Sequence, residues 1–110
     1  MDDYIQVLIT IDSEEKARGL QRLLVEHRAA ACVQVLGPIF STYWWQGKIE
    51  DAQEWMCLAK TRAGQYDRLE SLVKENHPYS VPEVLALPIL TGNTEYLDWV
   101  KAETTPSKES

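Results

Sequence analysis

The chain has 110 residues, 45% of them hydrophobic and 25% charged, enough for one domain with one modest core. Seventeen acidic against 11 basic side chains leave a formal charge of −6, which excludes a nucleic-acid surface, because a phosphate backbone demands a basic patch, and disfavours an anionic membrane. The start, Met1-Asp2-Asp3-Tyr4, is acidic rather than a secretory leader, and no apolar run reaches the ~20 residues of a spanning helix, so the expected location is the cytoplasm.

Residues 4–11 (YIQVLITI) read as a strand: Ile5, Val7, Ile9 and Ile11 fill one face, and Tyr4, Gln6, Leu8 and Thr10 give a mixed second face suited to the middle of a sheet. Asp12 followed by Glu15 has capping-box spacing, with Ser13 as the alternative cap. Ala17, Leu20, Leu24 and His27, with Leu23 beside them, recur at helical spacing and mark a first helix ending around Arg28-Ala29, with Arg28 complementing the helix dipole and His27 half-buried on the inner stripe.

A long hairpin follows, residues 32–45 and 48–61 around Gln46-Gly47, where a two-residue loop needs positive φ. Arms of 14 residues span roughly 46 Å at ~3.3 Å per residue, against a diameter of roughly 34 Å for a compact domain of this length. The hairpin overshoots its own domain. Pairing Trp45 with Lys48 sets Cys32 opposite Thr61 and Cys57 opposite Leu36, with room for a one-residue shift at a bulge near Gly37-Pro38. Neither register joins the two cysteines, which are expected to be reduced and mostly buried.

Residues 64–77 read as a second helix with Tyr66, Leu69, Leu72 and Val73 inward, stopped by Pro78; 83–90 as a last strand; and Asn93 as the cap of a short helix carrying Tyr96, Leu97, Trp99 and Val100. Residues 1–102 then form a single domain, and 103–110 a disordered tail. The order β-α-β-β-α-β is the ferredoxin-like split βαβ pattern, an α+β fold with an antiparallel sheet ordered 4-1-3-2. The prolines agree, since Pro38, Pro82 and Pro88 fall in or beside strands two and four, the edges. Two helices cover one face of such a sheet, yet strands two, three and four carry apolar residues on both faces. The expected answer is a homo-oligomer joined sheet to sheet; the alternative is a monomer whose last helix crosses the open face.

Several stretches carry a resemblance. Ala30-Ala31-Cys32-Val33, Ser41-Thr42-Tyr43-Trp44-Trp45-Gln46-Gly47-Lys48-Ile49-Glu50, Lys60-Thr61, His77-Pro78-Tyr79-Ser80-Val81-Pro82-Glu83, Leu87-Pro88-Ile89, Gly92-Asn93 and Tyr96-Leu97-Asp98-Trp99-Val100 resemble, in this order, the CutA divalent-cation tolerance family. The resemblance implies a cytoplasmic homotrimer of ferredoxin-like subunits, with Tyr43, Trp44, Trp45, Ile49 and Trp55 as subunit contacts, and an association with tolerance of copper and other divalent metals. It also implies likeness to trimeric signalling proteins of the nitrogen-regulatory type. It implies no established reaction and no required cofactor.

Among soft ligands the chain offers His27, Cys32, Cys57 and His77, without CxxC or paired-histidine spacing. Cu(II) would accept imidazole and carboxylate, which points to His77, with Cys32 as a weaker candidate because Cys57 replaces a usually aliphatic family residue. His77 has a second reading, as a helix cap bonded to the last carbonyls. Glu50, Asp51 and Glu54 read as a solvated edge able to hold hard cations loosely. Trp45, Lys60, Tyr79 and Glu83 resemble the family's cleft residues, with Lys60 as an anion contact or a partner of Glu83. No phosphate loop, nucleophile elbow or HExxH suggests an enzyme. Two functions follow: a metal-tolerance trimer that binds Cu(II) or a related cation weakly, or a signalling or scaffold trimer whose clefts hold a small anionic ligand or a partner protein.

Overall fold

A computed structural model describes residues 3–105 of the chain. Strand β1 spans Tyr4–Ile11, and Ile5, Val7, Ile9 and Ile11 are all buried, as their alternation requires. Helix α1, Glu14–Glu26, starts at Ser13, whose Oγ accepts the Lys16 N–H at 3.1 Å; Asp12 pairs instead with Lys16 Nζ at 3.3 Å. Ala17, Leu20 and Leu24 are its buried stripe.

The end of α1 differs from the expectation. The Arg28 N–H donates to the Val25 carbonyl and the Ala29 N–H to the Leu24 carbonyl, both at 3.0 Å, a Schellman closure with Arg28 left-handed at φ +56°. Arg28 therefore lies beyond the helix, where its guanidinium meets Glu103 Oε1 at 2.9 Å. His27, the C-cap, is exposed rather than half-buried, because the closure turns it away from the stripe.

Strands β2, Cys32–Trp45, and β3, Lys48–Arg62, form the hairpin, with Gln46 at φ +51° and Gly47 at φ +80°, the double positive φ of a type I′ turn. From Trp45↔Lys48 to Ile39↔Glu54 the paired numbers keep one register; from Leu36↔Met56 inward they shift by one. Gly37 and Pro38 together face Trp55 alone, which is a β-bulge. Cys32 consequently pairs with Lys60, and Cys57 with Val35. A Cβ on Gly37 would lie 2.2 Å from Trp55 Cδ1, so the indole occupies the space that glycine leaves.

A 3₁₀ turn over Ala63–Gln65 leads into α2, Tyr66–Asn76, which buries Leu69 and Val73. Strand β4 is Val84–Pro88, shorter than expected, and α3 is Thr94–Glu103, capped by Asn93 Oδ1, which accepts the Tyr96 N–H at 2.9 Å. The helix runs past the expected domain end. Thr104 is fully buried; it accepts from Arg62 Nε at its hydroxyl and from Gln65 Nε2 at its carbonyl, each at 3.0 Å. Residues 106–110 of the expected tail lie outside the described residues.

The four strands form one antiparallel sheet in the order β2-β3-β1-β4, with β2 and β4 at the edges, as the prolines indicated. Helices α1 and α2 cover one face and close the core over Val7, Ile9, Ile11, Leu24, Leu69 and Val73. Helix α3 is tied to the Arg62 end of β3 and leaves most of the second face open: Leu36, Leu85 and Leu87 are exposed. Beyond the body, the outer hairpin is barer still, with Phe40 84% and Trp44 71% accessible. The longest dimension is 47 Å, against 30 and 21 Å for the others, consistent with an arm that outreaches its domain.

Two substitutions test this backbone reading. Gly37→Ala forces the Trp55 ring or the bulge to move and is expected to lower unfolding free energy in urea by about 1–3 kcal/mol. Gln46→Asn, which tolerates positive φ better, is expected to raise it slightly, and a loss of stability would contradict the type I′ assignment.

Candidate functional site

The bulge decides which hairpin residues look toward the open face. In a strand, side chains alternate, so one inserted residue exchanges the faces of everything beyond it. Leu36 is on the open face; after Gly37-Pro38 the open-face set becomes Ile39, Ser41, Tyr43 and Trp45, opposite Glu54, Ala52, Glu50 and Lys48. Phe40, Thr42 and Trp44 take the other side.

Against this surface lies the segment that follows α2. His77 leaves the helix in extended conformation, and its ring bridges two elements. Nε2 lies 2.7 Å from the Thr10 carbonyl of β1, and Nδ1 accepts the Tyr79 N–H at 3.1 Å. A nitrogen that accepts carries no proton, so His77 is the neutral tautomer with its proton on Nε2, donated to Thr10. The Tyr79 ring meets the His77 ring edge-on at 4.7 Å, and the Tyr79 hydroxyl donates to Glu54 Oε2 at 2.8 Å. Burial, followed by the Glu54 carboxylate, pushes the Tyr79 hydroxyl well above the usual phenol range and keeps it a donor.

This network frames a cavity of about 540 Å³. Tyr43, Trp45 and Tyr79 supply aromatic walls, Glu54 and Glu83 supply carboxylates, and Thr10, Ser41 and Ser80 supply hydroxyls, with Val81 at the rim; the Thr42 hydroxyl is turned to the other side, where it donates to Asp51 Oδ1 at 2.6 Å. Glu54 is only 4% accessible. Its Oε2 is occupied by Tyr79, while Oε1 has no hydrogen-bond partner among the described residues. Among the described residues, no lysine, arginine or histidine side chain lines the space.

Residues 5–103 match the family described as CutA1 divalent ion tolerance protein. The chain belongs to the CutA1 divalent ion tolerance family. It is 49% identical over 98 residues to the divalent-cation tolerance protein CutA of Thermus thermophilus, covering 89% of this chain and 95% of that one. To the human protein CutA it is 40% identical over 102 residues, covering 93% of this chain but only 57% of the human one. The solved structure of CutA1 from Oryza sativa superposes with a TM-score of 0.92 at 41% identity, covering 96% of each chain. The Archaeoglobus fulgidus structure, a protein named a periplasmic divalent cation tolerance protein, superposes at 0.88 with 38% identity, covering 96% of this chain and all of that one. Among the described residues no helix is long and apolar enough to cross a membrane.

Of the four CutA1 cleft residues named from the sequence, Trp45, Tyr79 and Glu83 meet in the cavity and Lys60 does not. Lys60 pairs with Gln6 of β1 and donates to Gln34, four residues along β1 from Thr10, roughly 13 Å away at strand spacing. It is neither a cavity contact nor the partner of Glu83. His77 bonds strand β1 rather than its own helix carbonyls, and both ring nitrogens are engaged. Cys32 is half-buried beside Tyr96, whose hydroxyl is pushed up by burial and then by that thiol. Cys57 is buried on the helix-covered face, donates to the Ala17 carbonyl at 3.5 Å, and is pushed up to about 11 by burial. Among the described residues, His, Cys, Asp and Glu form no group of three placed to hold a metal.

Two positions stand apart from their expected roles. Trp55, named as a subunit contact, packs against Gly37 and the core of its own chain. Glu54, read as part of a solvated edge with Glu50 and Asp51, is the buried floor of the cavity. The signal was present: alternation from Trp55 outward puts Glu54 beside Met56 on the open face, where a following Tyr-bearing loop can cover it.

Alkylation of the native protein at pH 8 separates the two thiols. Cys32 is expected to react first, while Cys57, protonated and enclosed, stays unmodified by mass spectrometry until denaturant is added. Faster labelling of Cys57 would contradict the packing described.

Proposed function

We infer that this chain acts in divalent-cation tolerance as a homotrimer of ferredoxin-like subunits that binds Cu(II) or a related cation weakly. The observation that carries the assembly is the bare hairpin. Phe40, Trp44 and Ile49 stand in solvent beyond the domain body, Leu36, Leu85 and Leu87 lie uncovered on the sheet, and β2 and β4 are free edges. Contacts between copies through Tyr43, Trp44, Trp45 and Ile49 would cover this surface, while Trp55 serves its own subunit. Family membership supports the tolerance role. We assign the chain no reaction, and we place it in the cytoplasm, where two thiols on opposite faces of one sheet suit a reducing compartment.

For the metal, carboxylate is favoured over imidazole. A cation at His77 would have to displace the Thr10 or Tyr79 hydrogen bond, whereas Glu83, Glu50 and Asp51 are exposed. Few and uncrowded oxygen ligands give weak binding. Cu²⁺ titration is expected to saturate in the micromolar range or above, with a larger loss for Glu83→Gln than for His77→Ala. The reverse order would return the site to the histidine.

The cavity favours a second reading, in which the same trimer signals or scaffolds by taking a small ligand at Trp45, Tyr79 and Glu83. An anionic ligand would have depended on Lys60, which lies elsewhere on the sheet.

Light scattering is expected to give a mass near three times 12.6 kDa, and Trp44→Glu with Phe40→Glu is expected to lower it. A monodisperse monomer of the unaltered chain would overturn the assembly.

A further inference from the structure

The cavity behind the hairpin has an electrostatic character that neither family membership nor metal tolerance assigns. Its two ionisable acids, Glu54 and Glu83, share the lining with three aromatic rings, and among the described residues no basic side chain lines it. Lys48, the base nearest in register to Trp45, lies at the turn, outside the lining. The deeper acid is anchored at one oxygen only. Tyr79 donates to Glu54 Oε2, and Oε1, without a partner among the described residues, remains to accept a donor from within the cavity.

We propose that this cavity binds a small organic ammonium ion, whose N–H or N–C–H donors meet Glu54 while its carbon skeleton lies against Trp45, Tyr43 and Tyr79. The inference deepens the second reading of the preceding section and rests on it. Three features select an organic cation over a bare metal ion. The volume, about 540 Å³, falls within the roughly 300–1,000 Å³ of small-molecule sites and far exceeds a single ion. Aromatic faces attract ammonium groups through the ring quadrupole but offer no lone pair in the ring plane to a hard metal. The hydroxyls of Thr10, Ser41 and Ser80 can accept from further N–H groups, so the lining suits a donor-rich guest along its length. An anion would instead face two carboxylates with no compensating base.

Isothermal titration calorimetry of the full chain in metal-depleted buffer tests this, with 1,4-diaminobutane and tetramethylammonium as cation probes and citrate as the anion probe. The expected result is saturable binding of at least one ammonium probe, at one per chain, weakened by salt, and no binding of citrate. Glu54→Gln keeps an acceptor for the Tyr79 hydroxyl while removing the charge, and it is expected to weaken binding about tenfold or more. Should that variant not fold, Glu83→Gln at the exposed rim is expected to weaken binding severalfold. Lys60→Met, remote from the cavity, is expected to leave affinity unchanged. Binding by diaminobutane alone assigns a hydrogen-bonded primary amine, and binding by both assigns an ammonium held chiefly by charge and ring faces. Saturable citrate binding without ammonium binding would keep the cleft reading and overturn the ligand class. Absence of binding by every probe would overturn both, as would ammonium binding that neither glutamine variant weakens.

Discussion

The architecture of this protein turns on one extra residue in strand β2. Gly37 and Pro38 oppose Trp55 alone, and the indole fills the space over the glycine that a side chain would otherwise claim. Because side chains alternate, the insertion exchanges the two faces of the outer hairpin arm. Without it Phe40, Thr42 and Trp44 would face the open side of the sheet above Glu54. With it Ser41, Tyr43 and Trp45 do, and the two most exposed rings, Phe40 and Trp44, turn away from the cavity. One local irregularity thus sorts a set of aromatic residues into a cavity wall and an outward surface.

The second constraint is a chain of hydrogen bonds that holds the segment after α2 against this wall. It runs from the Thr10 carbonyl through the His77 ring to the Tyr79 backbone, and from the Tyr79 hydroxyl to Glu54. Each link is satisfied at normal length, and the low local polarity around Tyr79 strengthens the contact with the carboxylate while raising the hydroxyl's affinity for its proton. His77 serves here as a neutral two-ended strut. Its position beside a proline and a tyrosine gives it the look of a metal ligand, and in this structure both of its ring nitrogens are engaged in hydrogen bonds.

Much of the fold was legible in the sequence because it rests on short-range rules. Alternating Ile and Val placed β1 at the sheet centre, Asn93 marked the start of α3, and prolines marked the edge strands. Less legible were features set by tertiary partners. The burial of Thr104 is not visible in the polar sequence after α3, because it depends on Arg62 and Gln65, some 40 residues away along the chain. The environment of Glu54 was hidden inside an acidic run whose neighbours, Glu50 and Asp51, are indeed solvated. Only the family resemblance links Lys60 with the cleft; strand register places it roughly 13 Å from Thr10. Trp55 carried the same residue type as the outward tryptophans but sits on the core side of the bulge.

Surface and cavity therefore ask for different partners. The outward rings and bare sheet are the surface on which the proposed assembly rests, and the acidic, aromatic-walled cavity is the one on which the proposed organic cation rests. The most direct test is a crystal structure of the protein grown with 1,4-diaminobutane. The account predicts an amine nitrogen at hydrogen-bond distance from Glu54 Oε1, with its chain against the Trp45 indole and Trp44 facing away. A cavity containing only water, or a hairpin with Trp44 rather than Trp45 on the cavity side, would contradict it.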